Sequence, residues 1–128
     1  MLESAWSGGQ KTPARLATAF ALVRAGNLET GNFSPLGFLV NNLNQRAWRG
    51  VAQPYLAELA RAPEQRRALV RALGSATTAD EKIGLTQALA GSASADAIPA
   101  LEQLSSDTDP AVAREALRAL RILRGSVR

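Results

Sequence analysis

The chain has 128 residues, of which 46% are hydrophobic and only 5% aromatic, so its length suits one domain with an aliphatic core. It contains neither cysteine nor histidine, which excludes disulfides, thiolate nucleophiles, Cys/His zinc sites and histidine general bases. Fifteen Lys and Arg residues against eleven Asp and Glu give a net charge of +4, and the whole excess lies in residues 114–128.

The predicted secondary structure is helical throughout, because no segment alternates with a period of two. Residues 1–11 include Gly8-Gly9 and show no periodicity, which predicts a mobile lead-in. Thr12-Pro13 begins the first helix, which ends near Gly26-Asn27. Five further helices are expected over about 34–44, 47–61, 63–74, 95–104 and 110–125. Another is capped by Thr78 or Asp80 and ends at Gly91, and Pro54 is expected to kink its helix or split off its first turn.

An apolar pattern returns three times when the chain is shifted by 30 and then by 31 residues. The first helices share two aligned columns, Val40/Val70/Leu101 and Leu43/Leu73/Leu104. The second helices share two more, Leu59/Leu89/Leu120 and Tyr55/Leu85/Ala116. A common register across four columns predicts three helical pairs, over about 34–61, 63–91 and 95–125.

The last of these pairs resembles a known repeat. Residues 95–123, ADAIPALEQLSSDTDPAVAREALRALRIL, are similar to a HEAT repeat of the short bacterial kind related to phycobilisome-lyase-type repeats. The similarity lies in the Ala-Ile-Pro-x-Leu-x-x-Leu helix, the Asp109-Pro110 start, and Val112, Arg114, Ala116 and Leu120. Residues 64–90 match more loosely, and 34–61 only in apolar spacing. The resemblance implies one all-α domain over 12–125, a short right-handed α-α superhelix with an additional N-terminal helix, followed by a tail over 126–128.

The resemblance identifies an architecture rather than an activity. Because most familiar catalytic residues are missing, we expect a binding scaffold without catalytic activity or cofactor, and repeat geometry places its protein partner on the surface of the second helices. The residues expected to contact that partner are Arg46, Trp48, Arg49, Lys82, Gln87, Arg114, Arg118 and Arg121. Two of these groups have an alternative structural interpretation. Trp48 and Tyr55 suit stacking on a ligand; alternatively, Trp48 packs across a repeat junction and Tyr55 fills a core column. The arginines of the last helix suit phosphate binding or a solvated outer face.

Two other functions remain open from the sequence. Nucleic-acid binding through the arginine-rich last helix is the second choice, and a structural cap at the C-terminal end of a larger solenoid is the third. The longest nearly apolar run, 16–23, is shorter than a membrane span, and residues 1–10 lack a signal-peptide core. We therefore expect a cytoplasmic protein without membrane contact, as a monomer or weak dimer.

Overall fold

The described part of the protein, residues 12–29, 34–92 and 94–126 of a computed structural model, contains seven α-helices, two short 3₁₀ turns and no β-strand. The predicted all-α class is confirmed for these residues. The predicted mobile lead-in over 1–11 and residues 127–128 of the predicted tail lie outside the described residues. The helices are α1 (Thr12–Arg24), α2 (Pro35–Asn41), α3 (Arg49–Leu59), α4 (Pro63–Ser75), α5 (Ala79–Ala90), α6 (Ile98–Leu104) and α7 (Pro110–Ser126), with 3₁₀ turns at Asn42–Asn44 and Ala95–Ala97.

Helix ends follow the capping residues of the sequence. Ser34 caps α2, its side-chain oxygen accepting a hydrogen bond from the Gly37 N–H at 3.0 Å. Thr78, not Asp80, caps α5, accepting from the Glu81 N–H at 3.1 Å. Beyond α1, Gly26 has a φ of 118°, a conformation that side chains rarely adopt. Two backbone hydrogen bonds, Gly26 N to Val23 O (3.1 Å) and Asn27 N to Leu22 O (3.0 Å), close α1 there.

Helix α3 runs unbroken through Pro54, so the expectation that this proline splits off the first turn is wrong. The proline removes the one hydrogen bond that would reach the Gly50 carbonyl in the turn before it. Gly50 and Pro54 are both exposed, so water can solvate that carbonyl.

The core is built from leucine and alanine, as the composition predicts. In the second helices, the column Leu59, Leu89 and Leu120 is buried at all three positions. In the other column Leu85 and Ala116 are fully buried, while Tyr55 is half-buried and packs against the core. The 30- and 31-residue shifts therefore align positions that are buried or half-buried in the core.

Helix α5 occupies the centre of the molecule, where it packs against α3, α4 and α7. It runs in the same direction as α3, because Arg49 meets Asp80 near both N-termini and Gln53 meets Gly84 one turn further on. On its other side, Lys82 near the start of α5 meets Asp107 just before α7. Helix α1 packs against α2 and α3, and α6 packs against α7. The arrangement is all-helical and repeat-like, with α1, α3, α5 and α7 as successive neighbours.

Candidate functional site

An open depression between α3 and α5 brings together several of the residues expected from the sequence. It is lined by Arg46, Arg49, Gly50, Gln53, Asp80, Ile83, Gly84 and Gln87. A second depression between α5 and α7 also includes Gln87, and is lined further by Ala90, Gly91, Glu115, Arg118, Ala119 and Ile122. The two depressions meet at Gln87 and form one continuous face, which we term the second-helix surface. It unites Arg46, Arg49, Gln87 and Arg118.

Arg49 is held in place by its neighbours on this surface. Its Nε donates to the Leu43 carbonyl at 2.8 Å, and its Nη2 lies 3.1 Å from the Asp80 carboxylate. The guanidinium therefore ties the loop before α3 to the start of α5. Arg46, in the preceding turn, is exposed and makes no ion pair with any described residue. Of the two, Arg46 is the more readily available to a partner.

The aromatic residues near this surface contact other parts of the protein. Trp48 is half-buried and packs against the core. The ring of Tyr55 stacks on Phe20 of α1, with centroids 4.8 Å apart and an interplanar angle of 27°. Both residues therefore pack within the protein, and Tyr55 does so across the junction between α3 and α1.

Lys82 does not join the second-helix surface. It lies at a different depression, beside Leu73, Ala100 and Leu104 of α4 and α6. Its Nζ is 2.9 Å from Asp107 Oδ2 in a partly buried ion pair. The Asp109 backbone N–H and the Lys82 ammonium both donate to Asp107 and lower the pKa of its carboxyl. Lys82 is thus a structural tie between α5 and the loop before α7.

The arginines of α7 are exposed, and they differ in their partners. Arg118 Nη1 lies 3.3 Å from Glu115 Oε1, whereas Arg114 and Arg121 make no ion pair within the described part of the chain. Ile122 is 43% exposed, and Leu117 is 51% exposed. The sequence reasoning missed Leu117. A helical wheel could have found it, since it lies three residues after Arg114 and four before Arg121.

A polar network at the start of α5 was also missed. Asn44 Nδ2 donates to Glu81 Oε2 at 2.6 Å, and Asn44 Oδ1 accepts from the Thr78 hydroxyl. Glu81 Oε1 accepts in addition from the Thr77 N–H at 3.2 Å. The Thr-x-x-Glu spacing from Thr78 to Glu81 is a capping-box signal available from sequence, but the participation of Asn44 is not.

Another ion pair joins α4 to the 3₁₀ turn before α6. Arg66 Nε donates to Asp96 Oδ2 at 3.0 Å, and this hydrogen bond lowers the pKa of the Asp96 carboxyl.

Within the ranges that the structure describes, no three carboxylates gather as a metal site would require. The same residues include no helix long and apolar enough to cross a membrane. The polar side chains on the second-helix surface are arginines, amides and two carboxylates, Asp80 and Glu115, which pair with Arg49 and Arg118.

No protein-family model, curated protein or solved structure matches the chain.

Proposed function

We propose that the chain is a non-catalytic binding module, a short right-handed superhelix of three HEAT-like helical pairs that holds a protein partner on its second-helix surface. The observation that carries this proposal is the continuity of that surface. Arg46, Gln87 and Arg118 come from the turn before α3, from α5 and from α7, yet the two depressions they line meet at one residue. Stacked repeats characteristically present such extended surfaces to their ligands.

The chemistry of the surface favours a protein over a small molecule. Both depressions are open to solvent, unlike the pockets that enclose most of a small ligand's surface. Ile83 and Ile122 provide aliphatic contact area, and Gln87 and Arg118 surround it with hydrogen-bond donors. Aliphatic contact area beside polar and arginine side chains is typical of protein interfaces.

A site-specific photo-crosslinker at Gln87 tests the proposal. The residue is exposed and lines both depressions, so an adduct there should be abundant and of discrete mass when the full chain is irradiated with extract from its native cells. The matched control carries the same crosslinker at Gln103, exposed on α6. Equal adducts at both positions, or none at Gln87, would contradict a dedicated second-helix surface.

Nucleic-acid binding is the second candidate, favoured by Arg114 and Arg121, which are exposed without a described counter-ion. A fluorescence-anisotropy titration with mixed-sequence duplex and single-stranded DNA at low and near-physiological salt tests it. Phosphate contacts made by a few arginines weaken steeply as salt is added. Binding that survives about 0.15 M salt would therefore support a dedicated nucleic-acid site. Binding confined to low salt would reject it.

A further inference from the structure

The charge around α7 is unbalanced in a way that the rest of the chain is not. Residues 114–128 carry five arginines and one glutamate, whereas charges cancel over 1–113. The nearby carboxylates are already engaged: Glu115 pairs with Arg118 at 3.3 Å, and Glu102 pairs with Arg124 at 2.8 Å. Arg114 and Arg121 consequently have no ion-pair partner in the part of the chain that the structure describes.

Large aliphatic side chains flank these arginines. We term Arg114, Arg118 and Arg121 the arginine row. Leu117 and Ile122 lie on the two sides of this row along α7 and are 51% and 43% exposed. Ile122 also lines the depression between α5 and α7, so the row borders the second-helix surface. A phosphate backbone gains nothing from contact with these aliphatic side chains, whereas a protein partner would bury them away from water.

A second copy of the chain is a poor occupant for this face. A two-fold dimer through α7 would place the arginine row of one copy opposite the same row of the other. Like charges brought together in a partly desolvated interface are repelled. The occupant must therefore carry carboxylates.

We propose that the exposed face of α7 binds an acidic amphipathic helix of a partner protein. This inference rests on the proposed function and specifies the partner at the part of α7 that borders the second-helix surface. The arginine row has the spacing i, i+4, i+7 and is about 10 Å long at 1.5 Å per residue. A helix packed along α7 with carboxylates at the same spacing pairs with all three arginines. Its apolar side chains then cover Leu117 and Ile122.

Fluorescence anisotropy with a designed peptide tests the inference. The probe is a fluorescein-labelled 18-residue peptide of Ala, Leu and Glu, with glutamates at i, i+4 and i+7 and leucines on both flanks of that row. Its control is the same peptide with glutamine in place of glutamate. At about 0.15 M salt the full chain should bind the glutamate peptide at least about tenfold more tightly than the glutamine peptide, because only the former has charges to pair.

Matched variants of the chain locate the binding. The double reversal Arg114→Glu/Arg121→Glu should weaken peptide binding at least about tenfold. The control Arg61→Glu/Arg67→Glu changes the net charge equally at exposed positions away from α7, and should change peptide binding less than about threefold. Leu117→Ala and Ile122→Ala should each weaken it a few-fold through lost apolar contact. Circular dichroism checks that each variant folds.

Three results would overturn the inference: no binding of the glutamate peptide, equal binding of both peptides, or equal loss in the two double reversals. Duplex DNA that displaces the peptide at about 0.15 M salt would assign the arginine row to phosphates instead. The proposed function is tested independently of this inference. A specific adduct at Gln87 with no binding of the acidic peptide would retain a protein-binding surface and reject only this partner chemistry.

Discussion

The junction between α3 and α5 and the junction between α5 and α7 are held by different kinds of contact. At the first, the loop before α3 is tied to the start of α5 by Asn44, Arg49 and their hydrogen bonds, and the helices approach closely at Gly84. At the second, α7 buries a continuous aliphatic face, and Lys82 with Asp107 supplies the polar contact at one end.

The difference follows from how much apolar surface the helices at each junction offer. Helix α2 has seven residues and packs more against α1 than against α4, and directed polar bonds add to the packing at the first junction. Helix α7 has seventeen residues and packs extensively against α5 and α6. Polar ties specify geometry at modest net gain, whereas buried aliphatic area supplies most of the stability. The two junctions should therefore respond differently to substitution.

The largest effect is expected on the apolar side of this comparison. Leu123 of α7 is fully buried, so Leu123→Ala leaves a cavity and should lower the free energy of unfolding by about 3 kcal/mol. Urea denaturation followed by circular dichroism measures it. Leu117→Ala, on the exposed face of the same helix, should cost under about 1 kcal/mol. Similar losses for both would contradict the assigned faces.

Gly84 sharpens the comparison at the first junction. A Cβ there would lie 2.7 and 2.9 Å from the two Cδ atoms of Leu43, which is itself fully buried, so the leucine side chain would have to shift within the core. Gly84→Ala should therefore cost about 1–2 kcal/mol despite its better helix propensity. Gly74 of α4 faces open space, and Gly74→Ala should gain about 0.5–1 kcal/mol. Thermal denaturation of the pair distinguishes the signs, and a stabilising Gly84→Ala would disprove the close approach.

Asn44 tests the polar contacts of that junction. Asn44→Ala removes the donor to Glu81 and the acceptor for Thr78, and should lower the free energy of unfolding by about 1 kcal/mol. Gln45→Ala, one residue on and exposed, should be close to neutral. Chemical denaturation of both variants checks this, and equal stability would mean that the network contributes nothing measurable.

The smallest effect is expected from the tie beside α7, and it appears as a dependence on pH. Because its partners lower the pKa of Asp107 in the folded state, the carboxylate stabilises the protein above about pH 4 and loses that contribution as the pH falls further. Asp107→Asn should lower stability at neutral pH and flatten the decline between about pH 4 and 2. Denaturant titrations of the original chain and of Asp107→Asn across this range measure how the free energy of unfolding changes with pH. This change should be smaller in the variant.

Sequence patterns predict the local features of this protein well, because capping residues and apolar periodicity act within one helix. The starts at Ser34 and Pro110, the stop at Gly26 and the buried columns of the second helices all agree with the structure. Each depends on residues at most a few turns apart, whose spacing is visible in the chain.

Contacts between helices could not be predicted in the same way, because successive residues of a helix differ by about 100° in direction. Ile83 lies in the depression facing α3, while its neighbour Lys82 lies at the one beside α4 and α6. A small error in the rotation of α5 therefore exchanges them. Asn44 and Glu81 are separated by 37 residues, and nothing in their local sequence indicates the bond between them.

The central position of α5 has a consequence for how the protein unfolds. Helix α5 buries Gly84, Leu85, Thr86, Ala88 and Leu89, so its burial continues around much of its circumference. Loss of α5 would expose α3, α4 and α7 together, because all three pack against it. A linear array of independent units would lose structure gradually from its ends. Here the shared helix couples the pairs, and denaturation should proceed as one cooperative transition with a single midpoint for all helices.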